Sequence, residues 1–169
     1  MNIISGIFKS IKIKTSKNLS YRPTKSLVRK SIFDSLSLFD FNSVCDLFSG
    51  SGIIGFESAS RGAEFVTFVD SDFKAIKLIQ ENAKSLEGPN YSYFQNDVFS
   101  FIKTCNSFDL IYADPPYGKY DTVRLVNQVF KHLNKQGKLF LECDRNQTPF
   151  LDSVVRDYGH TRILQWENK

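Results

Sequence analysis

Several things are scarce in this 169-residue sequence, and each shortage removes a class of protein. There are three cysteines, Cys45, Cys105 and Cys143, an odd number scattered along the chain with no C-x-x-C spacing. That pattern argues against a disulfide scaffold and suits reduced thiols in or beside strands. His132 and His160 stand alone, so no metal site is expected. No apolar run approaches membrane-spanning length, and the N-terminus lacks the continuous apolar stretch of a secretion signal. The expectation is a cytoplasmic protein without a membrane partner.

Acid is missing altogether from the first 33 residues. Eight of the 22 basic residues lie there, namely Lys9, Lys12, Lys14, Lys17, Arg22, Lys25, Arg29 and Lys30, which leaves 14 basic against 18 acidic residues in the rest. A basic arm on a mildly acidic body is the footprint of a polyanionic partner. Ile11 and Ile13 alternate with lysines as in a half-exposed strand. Residues 1–20 therefore read as a small basic β-hairpin arm, and residues 21–169 as the core of a single domain. At 41% hydrophobic and 14% aromatic, the chain can bury a full core. Pro23 biases Arg22 toward extended backbone. Thr24 is suited to cap a helix from Lys25 to about Phe39, with Leu27, Val28, Ile32, Phe33 and Leu36 as its apolar face.

The organising stretch is Val44 to Asp70, VCDLFSGSGIIGFESASRGAEFVTFVD. It reads as a strand to Phe48, a Ser49-Gly50-Ser51-Gly52 turn, a helix to about Arg61, and a second strand from Glu64. Gly50, Gly52 and Gly55 make G-x-G-x-x-G. Without Cβ atoms, Gly50 and Gly52 can take φ > 0 and let a ligand lie against bare backbone. Asp70, at the end of the second strand, can accept hydrogen bonds from ribose hydroxyls. The same pattern also describes a nicotinamide site. Asp46 points elsewhere: a carboxylate inside an apolar strand is costly unless a ligand amine or loop amides pair it.

Downstream, Ser71 or Asp72 caps a helix to about Leu86, Tyr91 to Phe94 form a strand, and Phe99 to Ile102 a brief helix. Phe108 to Ala113 form the fourth strand, Asp121 begins a helix to about Leu133, and Leu139 to Cys143 form the fifth strand. Val154 to Tyr158 and Arg162 to Trp166 read as a closing hairpin. Alternating strands and helices imply an α/β, Rossmann-like, doubly wound sheet of seven strands, mostly parallel with an antiparallel last strand. Ligands of such sheets lie across the carboxyl ends of the strands, where Ser49–Gly52, Asp70, Asp97 and Asp114 would gather.

Two of the five prolines are adjacent, in Asp114-Pro115-Pro116-Tyr117 at the end of the fourth strand. They remove two amide donors and stiffen the turn. A carboxylate and free carbonyl oxygens remain, beside an aromatic ring. That array accepts hydrogen bonds from an exocyclic amine, while Tyr117 can stack on a flat base.

The chain resembles the bacterial RsmD family of 16S ribosomal RNA guanine-N2 methyltransferases. The resemblance rests on Ile3-Ile4-Ser5-Gly6, Arg22-Pro23-Thr24 with Val28-Arg29, Asp46-Leu47-Phe48-Ser49-Gly50-Ser51-Gly52, Ser60-Arg61-Gly62, Asp114 to Tyr117, and Tyr158-Gly159-His160-Thr161. Two positions depart from the family pattern: Lys30 stands where Glu is usual, and a Gly-Arg pair near Ser10 is absent. The resemblance implies S-adenosyl-L-methionine as cofactor. Asp46, Ser49, Gly50, Ser51 and Gly52 would hold its methionine end, Asp70 the ribose, and Asp97 with Val98 the adenine. Asp114, Pro115 and Tyr117 would hold the target base, and Lys9, Lys12, Lys14, Arg22, Thr24 and Arg29 the RNA. The implied partner is 16S rRNA in an assembled or assembling 30S subunit, met by a monomer. An adenine-N6 DNA or RNA methyltransferase, a protein-glutamine methyltransferase, a nicotinamide-dependent oxidoreductase and a non-catalytic RNA-binding module are the alternatives.

Overall fold

Short Val-, Ile- and Phe-rich strands separated by amphipathic helices need cover on both sheet faces. A computed structural model, which describes residues 1–16, 26–36 and 41–169, has that architecture. The strands are β1 (Ser43–Leu47), β2 (Phe65–Asp70), β3 (Asn90–Gln95), β4 (Phe108–Ala113), β5 (Leu133–Asp144), β6 (Val154–Tyr158) and β7 (Thr161–Glu167). They form one sheet in the order β3-β2-β1-β4-β5-β7-β6. The first five run parallel, and β7 pairs antiparallel with both β5 and β6. The helices are α1 (Ser26–Asp34), α2 (Ile53–Ser60), α3 (Phe73–Ala83), α4 (Val98–Ile102) and α5 (Thr122–Val129), the last continued by a 3-10 turn over Phe130–His132. Among the described residues no helix is long and apolar enough to cross a membrane.

Three helices begin on an aspartate, a residue that competes well for free first-turn amides. Asp72 accepts from the Lys74 amide at 2.8 Å, Asp97 from Ser100 at 3.1 Å, and Asp121 from Arg124 at 2.9 Å. One sheet face, with Phe68, Tyr112 and Phe140, packs under α1, α2 and α3. The other, with Leu47, Ile111 and Leu141, packs under α4 and α5.

Two expected elements come out differently. The fifth strand starts at Leu133, not Leu139, and its pairing with β4 shifts register between Phe108 and Leu110. Gln136 takes φ 63°, and a Cβ at Gly137 would lie 2.8 Å from the Asn134 carbonyl, so the irregularity closes on a glycine. Of the N-terminal hairpin expected over residues 1–20, the described residues 1–16 contain one antiparallel bridge, Asn2 with Lys12.

The first 16 residues are also more tightly held than an arm. Ile3, Phe8 and Ile13 join the core beside α2 and α3, while Lys9, Lys12 and Lys14 are exposed. The Ile7 amide donates to the Ser60 carbonyl at 2.8 Å, and Lys14 and Asn82 exchange two hydrogen bonds. Gly6 (φ 85°) crosses α2 so closely that a Cβ would lie 1.7 Å from the Ser60 carbonyl oxygen.

Candidate active site

Register gathers the strand ends. Leu47 pairs with Val69 on one side and Ala113 on the other, and Asp70 pairs with Gln95. Asp70, Phe48 and Asp114 therefore sit side by side at the carboxyl edge, with Asp97 two residues beyond β3. The Asp114 amide reaches the Leu47 carbonyl at 3.4 Å.

The turn after β1 is built for close approach. Gly50 and Gly52 take φ 53° and 75°, and a Cβ on Gly52 would meet Phe56, Phe68 and Ile79 at 2.9–3.1 Å. Gly55 is needed for packing: its Cβ would lie 2.2 Å from the Phe68 ring. Ser49 works as a stitch. Its Oγ donates to the Asp46 carbonyl at 2.5 Å and accepts the Val69 amide at 2.9 Å, joining β1 to β2. Ser51 is 1% exposed, and its Oγ has no hydrogen-bond partner among the described residues. A buried hydroxyl left unpaired in a bare-backbone turn has capacity for a ligand's polar group.

Asp46 is 2% exposed and accepts the Gly55 amide at 3.0 Å. Burial pushes its carboxyl well above the ordinary value, the Gly55 amide pulls down, and the Asp70 charge adds to the rise. Asp70 is oriented by two amides, Gly50 at 2.9 Å and Asp72 at 2.9 Å. Its carboxyl is also raised, by burial first. Each carboxylate oxygen keeps a lone pair for a ribose hydroxyl. These residues fit S-adenosyl-L-methionine: a bare-backbone cradle, an orphaned hydroxyl, one buried carboxylate and one oriented carboxylate.

Asp97 is exposed and spends one oxygen on capping α4, and Val98 behind it is buried. Of the target-base group, Pro115 is buried, Asp114 half-buried and Tyr117 39% exposed. Arg29 departs from its expected role as an RNA contact. It is 3% exposed, 3.7 Å from Glu57, and donates to the Asn2 carbonyl at 3.2 Å, because α1 turns it inward onto a buried carboxylate. Arg22 and Thr24 lie outside the described residues. Sequence reasoning passed over Phe48, Phe99 and Tyr120, whose rings meet at the same edge; the only hint was a second aromatic three residues after Tyr117.

The sequence profile of a family described as conserved hypothetical protein 95 matches residues 1–162. YlbH of Bacillus subtilis is 36% identical over 170 residues, covering 96% of this chain and 91% of its own. Ribosomal RNA small subunit methyltransferase D of Buchnera aphidicola is 30% identical over 151 residues, covering 86% and 79%. A hypothetical protein of Thermus thermophilus superposes with a TM-score of 0.87 at 25% identity, covering 98% of each chain. With a family profile matching nearly the whole chain and relatives 30–36% identical over most of both lengths, the chain belongs to the RsmD family of S-adenosylmethionine-dependent methyltransferases.

Proposed function

We propose that this protein transfers a methyl group from S-adenosyl-L-methionine to the exocyclic N2 amine of a guanine in 16S ribosomal RNA, within an assembled or assembling 30S subunit in the cytoplasm, acting as a monomer. The observation that carries the reading is adjacency: the cradle after β1 and Asp114-Pro115-Pro116-Tyr117 after β4 leave neighbouring strands in register. The Buchnera relative, named for the small-subunit ribosomal RNA, supports the substrate class.

When bound, the cofactor supplies an electrophilic methyl on a sulfonium. Asp46 and the Gly50–Gly52 turn hold the methionine end, Asp70 the ribose, and Asp97 with Val98 the adenine edge. Asp114 accepts N–H bonds from the target amine, and Tyr117 stacks on its base. The Asp114 bonds strengthen as that nitrogen becomes cationic, so they act in the transition state more than in the ground state. Holding amine and methyl at near-attack distance supplies much of the rate. Lys9, Lys12 and Lys14 present an exposed basic row toward phosphates.

Single-turnover transfer of labelled methyl to immature 30S particles, with modified nucleosides resolved by mass spectrometry, tests this. Asp114→Ala lowers the rate by about two to three orders of magnitude with cofactor binding retained. Asp114→Asn keeps an acceptor oxygen and retains part of the activity. Full activity in Asp114→Ala overturns the mechanism, and label on adenine N6 overturns the guanine assignment.

A further inference from the structure

Phe48, the residue after β1, has φ 59°. A bulky aromatic in the left-handed region is a backbone outlier, held only when its surroundings require it. Its ring meets Tyr120 edge to face, centroids 4.8 Å apart at 76°. Tyr120 also lies 6.0 Å from Phe99 in α4, and the Arg124 guanidinium of α5 sits 4.8 Å over Phe99. The residue after β1 and the start of α4 therefore meet on one phenol, in the segment that leads into α5.

That phenol lies near the acids of the nucleoside site: it packs on Phe48, which is level with Asp70 in the register of β1 and β2, and on Phe99, two residues after Asp97. The Tyr120 hydroxyl is pushed up by burial first, then by the charges of Asp97 and Asp70. Tyr120 is also joined to the target-base turn. It follows Tyr117 by three residues, across Gly118 (φ 71°) and a turn in which the Lys119 amide donates to the Pro116 carbonyl at 3.1 Å. A Cβ at Gly118 would meet nothing within 4 Å, so the turn is open on that side.

We propose that Tyr120 is a cofactor-positioning residue: its ring, backed by Phe48 and Phe99, covers the nucleoside between Asp70 and Asp97, and so couples cofactor occupancy to the order of the Asp114–Tyr117 turn. The proposal rests on the methyltransferase reading and adds a role that the cradle and the acids do not require. Its consequence is that the base-holding turn is set only when the nucleoside is in place.

The exposed Lys119 beside it provides a readout, because trypsin cleavage there follows the population of the opened turn. In the wild-type protein, S-adenosylhomocysteine slows cleavage after Lys119, followed by mass spectrometry. Tyr120→Ala loses that protection and binds S-adenosylhomocysteine about tenfold more weakly, the scale of one aromatic stacking contact. Tyr120→Phe keeps the ring and restores both. Thermal melts without ligand report whether each variant is folded, and the wild-type protection and the Tyr120→Phe result stand even if Tyr120→Ala is not. Tight, protected binding in Tyr120→Ala, or wild-type binding with no change in cleavage at Lys119, overturns the role of Tyr120. A wild-type protein that does not bind S-adenosylhomocysteine overturns the methyltransferase reading itself.

Discussion

Glu57 accepts the Ile4 amide at 2.7 Å across 53 residues of sequence, and through it the N-terminal segment is fastened to the helix that follows the glycine cradle. The same carboxylate takes the Ser5 amide at 3.1 Å, the Arg61 guanidinium at 2.9 Å and Arg29 at 3.7 Å, while wholly buried itself. Removing one partner of a buried charge cluster leaves the others uncompensated.

Glu57→Ala is therefore expected to cost about 3–5 kcal/mol of stability, the range for breaking a buried ion pair. Chemical denaturation measures it, and faster tryptic cleavage at Lys9, Lys12 and Lys14 reports the released segment. A loss below about 1 kcal/mol, on the scale of a surface pair, would mean that the cluster does not hold the segment.

Asp70→Ala is expected to weaken S-adenosylmethionine binding by about 1.5–3 kcal/mol, because it removes charge-assisted bonds to the ribose and frees the Gly50 amide. Isothermal titration decides it, and unchanged affinity rules out the ribose assignment.

Asp46, proposed to hold the methionine end of the cofactor, makes stability depend on pH. Its folded carboxyl is raised above the unfolded value, chiefly by burial. Such a group binds its proton more tightly in the folded state. Its contribution is fully present below the ordinary carboxylate range and is lost as pH rises through the raised value. Asp46→Asn removes that loss. Its ligand-free melting temperature should exceed that of the wild type at about pH 8, with the gap closing toward about pH 4. Cofactor affinity should fall in the same variant. A gap that does not change with pH would show that burial of the charge is not the cause.

Lys9, Lys12 and Lys14 are exposed while their neighbours Phe8 and Ile13 are buried, so the charges can be removed without touching the core. Replacing all three with Gln should leave the melting temperature unchanged. It should also make the salt dependence of RNA affinity shallower by about one unit of log–log slope per lysine. An unchanged slope would refute contact between this row and phosphate. Deleting residues 1–20 is a poorer test, because it removes Ile3, Phe8 and Ile13 from the core.

The sequence by itself determined what short-range chemistry dictates. Gly50 and Gly52 announce left-handed backbone, aspartates announce helix starts at Asp72 and Asp121, and Val- and Ile-rich runs between glycines and prolines announce strands; β4 spans Phe108–Ala113 as its pattern implies. The family was legible for the same reason, since its motifs are contiguous. Tertiary structure decided whatever depends on partners distant in sequence. That Arg29 turns inward depends on Glu57, which approaches it only once α1 lies against α2. That the basic segment is part of the core depends on Ser60 and Asn82 accepting its amides. That Phe48 and Tyr120 share an edge depends on β4 pairing beside β1, a parallel contact between residues 66 positions apart, as in Val44 with Leu110, that no local pattern encodes.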